Sequence, residues 1–281
     1  MEKTQYMIPS LKEKFRKIGA RVDVTFTGVT RVRGFTRIQN PPATLDVLND
    51  NKGEFFQIRI REDISDQLDI SVLEIQPKDK HLVLLARQID EAGNVVAKDH
   101  FLCGQDERHF FVASVGSVST VAAAKESLKP REILAQETGL TCEKRNRRKT
   151  KVFRRQGEWF FIPEDILPDP ALIRRDEPLA RNTSSKAHIA EYAYRTGGVT
   201  VKVCREYPYG LTLSEYKTLI EDNPNARFLH WRDMKRNASV YVKGKIRHAD
   251  HATVTLETWH RVLMNTETFS ATSAITVEFL D

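Results

Sequence analysis

The sequence predicts an α+β fold, mainly antiparallel β hairpins and a meander with short helical inserts, in two lobes. Three observations predict it. Apolar residues alternate with a period of two over many short segments. Turn residues separate those segments, as at residues 51–53, 77–80 and 90–94. Helical spacing appears only in brief runs between them, so helices are inserts and not the frame.

Taken in order, residues 11–18 carry the spacing of a short basic helix, stopped by Gly19. Residues 21–26 alternate Val22, Val24 and Phe26 as a strand, and the turn at 51–53 leads into a strand over 54–60. A meander follows, with strands over 70–76, 81–89, 95–103 and 109–115. Pairing Cys103 with His109 in its last hairpin sets Phe101 against Phe111, apolar on apolar. Ser117 or Ser119 caps a helix to Leu128, and a second helix runs over 131–138 to Gly139. Strands at 152–155 and 158–162 pair around Gln156-Gly157, whereas 163–186 is polar and weakly periodic. Residues 187–195 read as a short helix before a strand at 199–204, and Thr212 or Ser214 caps another helix closed by Asn223 and Pro224. Alternation from Phe269 to Phe279 predicts a final strand. These elements group into an N-terminal β-rich lobe over 1–116, a helical connector over 117–143 and a C-terminal α+β lobe over 144–281.

The hairpin over 239–260 organises the chemistry. A three-residue turn at Ala249, Asp250 and His251 puts Ile246 opposite Val254, Gly244 opposite Leu256 and Tyr241 opposite Trp259. A two-residue turn faces apolar groups with charged ones. His248, Asp250 and His251 then converge at the turn, while His260 lies at the far end of the strand. Two imidazoles and a carboxylate suit a divalent metal with a position left for water, or general acid–base work near neutral pH. The paired Cys103 and His109 form a second candidate, a thiolate beside an imidazole.

Composition limits the partners. At 281 residues, with 40% hydrophobic and 29% charged residues, the chain can bury a core and is not disordered. No apolar run approaches the roughly 18 residues of a membrane span, and the N-terminus lacks the layout of a signal peptide. Three widely spaced cysteines (Cys103, Cys142 and Cys204), with no CxxC pair, point to a reducing, cytoplasmic setting without a disulfide framework. No GxGxxG or Walker pattern cradles a phosphate.

Net charge is +6, and residues 144–155 hold eight positive charges in twelve residues. Lys144, Arg145, Arg147, Arg148, Lys149, Lys151, Arg154 and Arg155 can neutralise phosphates, and Trp159 or Phe160 can stack on an unpaired base. The primary expectation is therefore an intracellular protein binding RNA or DNA. A metal-assisted hydrolase or nuclease built on His248, Asp250 and His251, with Cys103 and His109, is the alternative. A structural subunit pairing its strand edges with copies of itself, as a homo-oligomer, is the third.

Overall fold

The structure, a computed structural model, describes residues 2–28, 42–179, 186–267 and 279–280. The chain divides into two compact units: Met1–Thr150 with Asn265–Ala274, and Lys151–Met264 with Ile275–Asp281. The division falls inside the basic run, and the stretch expected to connect two lobes belongs to the first unit.

In the first unit, helix α1 (Glu2–Arg16) is longer than its spacing predicts. Pro9 lacks an amide hydrogen and argues against a helix locally, but Leu11 and Phe15, with Ile18 in the turn just beyond the helix, are buried completely enough to prevail. Phe15 packs on Phe56 with ring centroids 5.0 Å apart. Phe56 belongs to a small mixed sheet in which β1 (Val22–Thr27) runs parallel to β3 (Gly53–Arg61), itself antiparallel to β2 (Ala43–Asp50). The parallel pair departs from the expected hairpins.

The meander forms as predicted, with β4 (Leu68–Gln76), β5 (His81–Ile89), β6 (Val95–Asp106) and β7 (His109–Val115) antiparallel in chain order. The unbroken apolar run in β5 is explained by burial on both faces. Leu82, Leu84 and Ala86 join Phe101 and Cys103 in the core under α1, while Val83 packs with Leu102 and Ala113 against helix α2 (Val121–Ser127). Thr120, not a serine, caps α2 by accepting from the Ala123 amide. Helices α3 (Arg131–Gln136) and α4 (Cys142–Arg145) follow. Buried Lys129 ties them together, donating to Glu137 at 2.7 Å, Glu126 at 2.9 Å and the Arg145 carbonyl at 2.9 Å.

In the second unit a six-stranded sheet is built from β8 (Arg154–Gln156), β9 (Trp159–Pro163), β10 (Arg174–Leu179), β11 (His188–Thr196), β15 (Ser239–Arg247) and β16 (Val254–Met264). Their order across the sheet is β10-β11-β15-β16-β9-β8. One margin, β10, contains Pro178, and the other, β8, is three residues long. A smaller sheet orders β13 (Leu211–Thr212), β12 (Val199–Val203), β14 (Arg232–Arg236) and β17 (Phe279–Leu280). Thr212 and Glu215 form a reciprocal capping box on helix α5 (Leu213–Asp222), which ends before Asn223 and Pro224.

Residues expected to be helical at 187–195 are strand β11. Ala187, Ala190 and Ala193 are spaced three apart, which imitates a helical face. An irregularity between Ala190 and Tyr192 lets Ala190 and Ala193 both face the core from a strand. The weakly periodic stretch 163–186 contributes β10 as well as loop. The final strand expected over 269–279 lies mostly outside the described residues.

Candidate metal centre

The β15–β16 hairpin keeps its expected register beside the turn, with Ile246 opposite Val254 and Gly244 opposite Leu256. Beyond Gly244, whose φ is +85°, an irregularity shifts the ladder, so Tyr241 faces Arg261, not Trp259, and Val242 faces His260. A carboxylate is pressed against the glycine at this irregularity. Glu191 accepts from the Lys245 amide at 2.8 Å, and a Cβ at position 244 would lie 2.6 Å from that carboxylate. His260 is a buried core histidine whose Nδ1 lies 2.8 Å from the Thr258 carbonyl, and burial lowers its pKa.

The turn itself is a loop over 248–253 that brings His248 and His251 together with His188. Strands β11 and β15 pair Ile189 with Arg247, so His188 and His248 stand one step further along adjacent strands. Their rings stack with centroids 4.1 Å apart, and His251 stacks on His248 at 4.7 Å. One ring nitrogen from each of the three lies within 4.8 Å of those of the other two.

Four groups shape this end of the sheet. Trp159 sets its ring edge-on to His188 at 6.4 Å. The buried Gln156 amide donates to the Ile246 and Ala252 carbonyls at 3.2 and 2.6 Å, fixing both ends of the histidine loop. Lys186 offers its carbonyl 3.2 Å from His248 Nε2, while the Asp250 amide donates to His248 Nδ1 at 3.1 Å. Gly157, at φ +57°, leaves open the space beside two imidazoles. A Cβ there would lie 2.9 Å from His251 Nε2 and 3.3 Å from His188 Nε2.

His188 is 1% exposed, and neither of its ring nitrogens has a hydrogen-bond partner among the described residues. Burial, then the neighbouring His248 and His251, lowers its pKa to about 3. The ring is therefore neutral at physiological pH and keeps a lone pair, as a metal ligand must.

Of the residues expected at this site, Asp250 takes a different part. Its carboxylate accepts from Lys186 Nζ at 2.8 and 3.0 Å, and His188 stands in the ligand group in its place. The expected pairing of Cys103 with His109 is corrected by the β6–β7 register, in which Cys103 faces Val112 and His109 faces Asp106. The strands extend to a two-residue turn at Glu107 and Arg108, with Glu107 at φ +55°. Cys103 is wholly buried, and desolvation pushes its thiol far up, away from the thiolate. His109 Nδ1 instead lies 2.6 Å from Glu54, which also accepts from the Phe110 amide at 2.8 Å.

The basic run is dispersed. Arg147 pairs with Glu143 at 2.8 Å, and Arg148 binds both Asp106 and Glu107. Arg145 donates to the Leu140 carbonyl at 2.8 Å. Lys144, Lys149 and Lys151 are exposed, and Arg154 and Arg155 lie half-buried on β8. Trp159 and Phe160 are buried, Phe160 against Phe153 at 5.1 Å, which corrects the expectation that they stand ready to stack on a base. The hairpin pairs Gln156 with Trp159, one step from the expected register. Among the described residues, no helix is long and apolar enough to cross a membrane. Comparison of the chain with protein-family models, with curated proteins and with solved structures finds no match.

Proposed function

We propose that the second unit binds a divalent transition-metal ion on His188, His248 and His251, and that the protein is a metal-assisted hydrolase. The observation that carries this reading is His188: an imidazole enclosed by the fold, neutral, lacking hydrogen bonds and grouped with two others. An unsatisfied buried polar atom costs roughly 1–3 kcal/mol, and coordination is the interaction that three neighbouring imidazoles share. Imidazole ligands suit zinc, copper and nickel more than magnesium or calcium, which take oxygen.

Three histidines would hold the ion with a fourth position left for water, whose pKa a bound Zn²⁺ would lower to about 7. The carbonyl of Lys186 holds the Nε2 hydrogen of His248, which leaves Nδ1 as its ligand atom once the Asp250 amide lets go. The rings are stacked within 28° of parallel, so shared coordination of one ion would require them to rotate until their lone pairs converge. Two buried cysteines, Cys103 and Cys204, free of disulfides, support the cytoplasmic setting that forms part of this proposal.

The test is metal titration of chelator-treated protein by calorimetry, together with elemental analysis of protein purified without chelator. One Zn²⁺ per chain is expected, with binding weakened at least about 100-fold in His188→Ala, as loss of one of three ligands dictates. Unchanged affinity in His188→Ala, in a variant shown to be folded by circular dichroism, would falsify the centre. Hydrolysis of activated phosphate and carboxylate esters, abolished by chelator and restored by Zn²⁺, tests the catalytic half. A metal-loaded protein inert toward both ester classes would leave a binding site and overturn the hydrolase.

A further inference from the structure

Beyond the histidines, the smaller sheet of the second unit carries a cavity of about 670 Å³ lined by Val203, Cys204, Arg205, Pro208, His230, Trp231, Arg232 and Met234. Its size is that of an ordinary small-molecule pocket. Its charge is not ordinary. The chain as a whole has 44 basic and 38 acidic residues, yet this lining has two arginines and a histidine and no carboxylate among the described residues. Arg205, His230 and Arg232 are exposed, and of the two acids adjacent to them in sequence Asp233 is held by Lys202 at 2.9 Å while Glu206 is exposed, neither of them lining the cavity.

The remaining wall is apolar and rigid. Trp231 stacks on Tyr207 at 5.5 Å, meets the Tyr216 ring edge-on at 5.0 Å and donates its indole hydrogen to the Ala226 carbonyl at 2.8 Å. None of those three partners lines the cavity, so they brace the tryptophan from outside it. The loop carrying Arg205 and Pro208 is pinned by two turns, Tyr207 to Cys204 at 3.2 Å and Gly210 to Tyr207 at 3.1 Å. Arg236 fastens its far end by donating to the Tyr209 and Gly210 carbonyls.

We propose that this pocket binds a nucleoside phosphate, its phosphate held by Arg205 and Arg232 and its base laid on the wall of Trp231 and Met234. Guanidinium groups match phosphate oxygens with paired hydrogen bonds, and an aromatic wall accepts the flat face of any base. A bare anion leaves the apolar wall wet, and an uncharged nucleoside leaves the arginines unanswered. Affinity therefore needs both halves of the ligand.

The experiment is equilibrium dialysis and tryptophan fluorescence on the whole chain after chelator treatment, so that no bound metal competes for phosphate. The probes are adenosine monophosphate, adenosine and inorganic phosphate. The nucleotide is expected to bind one to one, at least about tenfold more tightly than either half, a margin of about 1.4 kcal/mol. Arg205→Glu with Arg232→Glu, both at exposed positions, is expected to abolish nucleotide binding with the melting temperature unchanged. Met234→Ala, which strips part of the apolar wall without changing charge, is expected to weaken the nucleotide and leave the phosphate response intact. Equal binding by the charge-reversed protein, or phosphate binding as tightly as the nucleotide, would overturn the proposal.

Discussion

A histidine held neutral by its surroundings in the folded chain, but free to take a proton in the unfolded one, makes stability depend on pH. For His188 the folded pKa is about 3, against 6.5 when exposed. Above pH 6.5 both states are neutral and the dependence vanishes. Between 6.5 and about 3 the unfolded chain holds a proton that the native chain refuses, so stability falls as pH falls, by up to about 1.4 kcal/mol per unit. Below about 3 no more is lost. His81, lowered to about 4 chiefly by burial, shifts in the same direction. Urea unfolding of metal-free wild type and His188→Gln at pH 7 and pH 5 separates the two. The wild type is expected to lose roughly 1–2 kcal/mol more than the variant over that interval, and equal losses would show that His188 is not held neutral by the fold.

The turn joining β8 to β9 sets what can approach the imidazoles. Gly157→Ala adds a methyl group 2.9 Å from His251 Nε2 on a backbone with φ +57°. Two effects are expected together: a loss of about 1 kcal/mol or more from backbone strain and at least a tenfold weakening of Zn²⁺ binding. Gly197→Ala is the control, since φ is +73° there and a Cβ meets nothing within 4 Å. It is expected to show the strain without the metal defect; a metal defect of equal size in both variants would refute the crowding argument. The hairpin carrying His248 and His251 was legible in the sequence because its register follows from which faces are apolar. His188 was not. Its proximity depends on β11 lying beside β15, a pairing between residues 43 to 58 positions apart that no local signal encodes. The three-residue spacing of Ala187, Ala190 and Ala193 also favoured a helix. The basic run misled for a related reason. Charge density is visible in a sequence, whereas the carboxylates that answer Arg148 lie some forty residues away at the tip of another hairpin.

At the scale of the whole molecule, two compact units with separate cores predict separate unfolding steps. Calorimetry of the full chain is expected to resolve two transitions, with saturating Zn²⁺ raising only one. At a thousand times the dissociation constant, that step gains about 4 kcal/mol. Its assignment to the second unit follows if His188→Ala cancels the shift and leaves the other transition in place. A single transition moved as a whole by the metal would mean that the units melt as one. The meander of the first unit and the capped helix α5 of the second were both readable from alternation, turn residues and caps. The parallel contact of β1 with β3 was not, because a parallel neighbour leaves no turn between the strands to announce it.

The margins of the six-stranded sheet have a consequence for how the protein behaves when crowded. Pro178 in β10 offers no amide hydrogen to an incoming backbone. At the opposite side, β8 presents three residues, two of them arginines that repel the same strand on another molecule. Lateral accretion into fibres is thus discouraged at both ends of the ladder, and the protein can be concentrated without this sheet acting as a template for polymerisation.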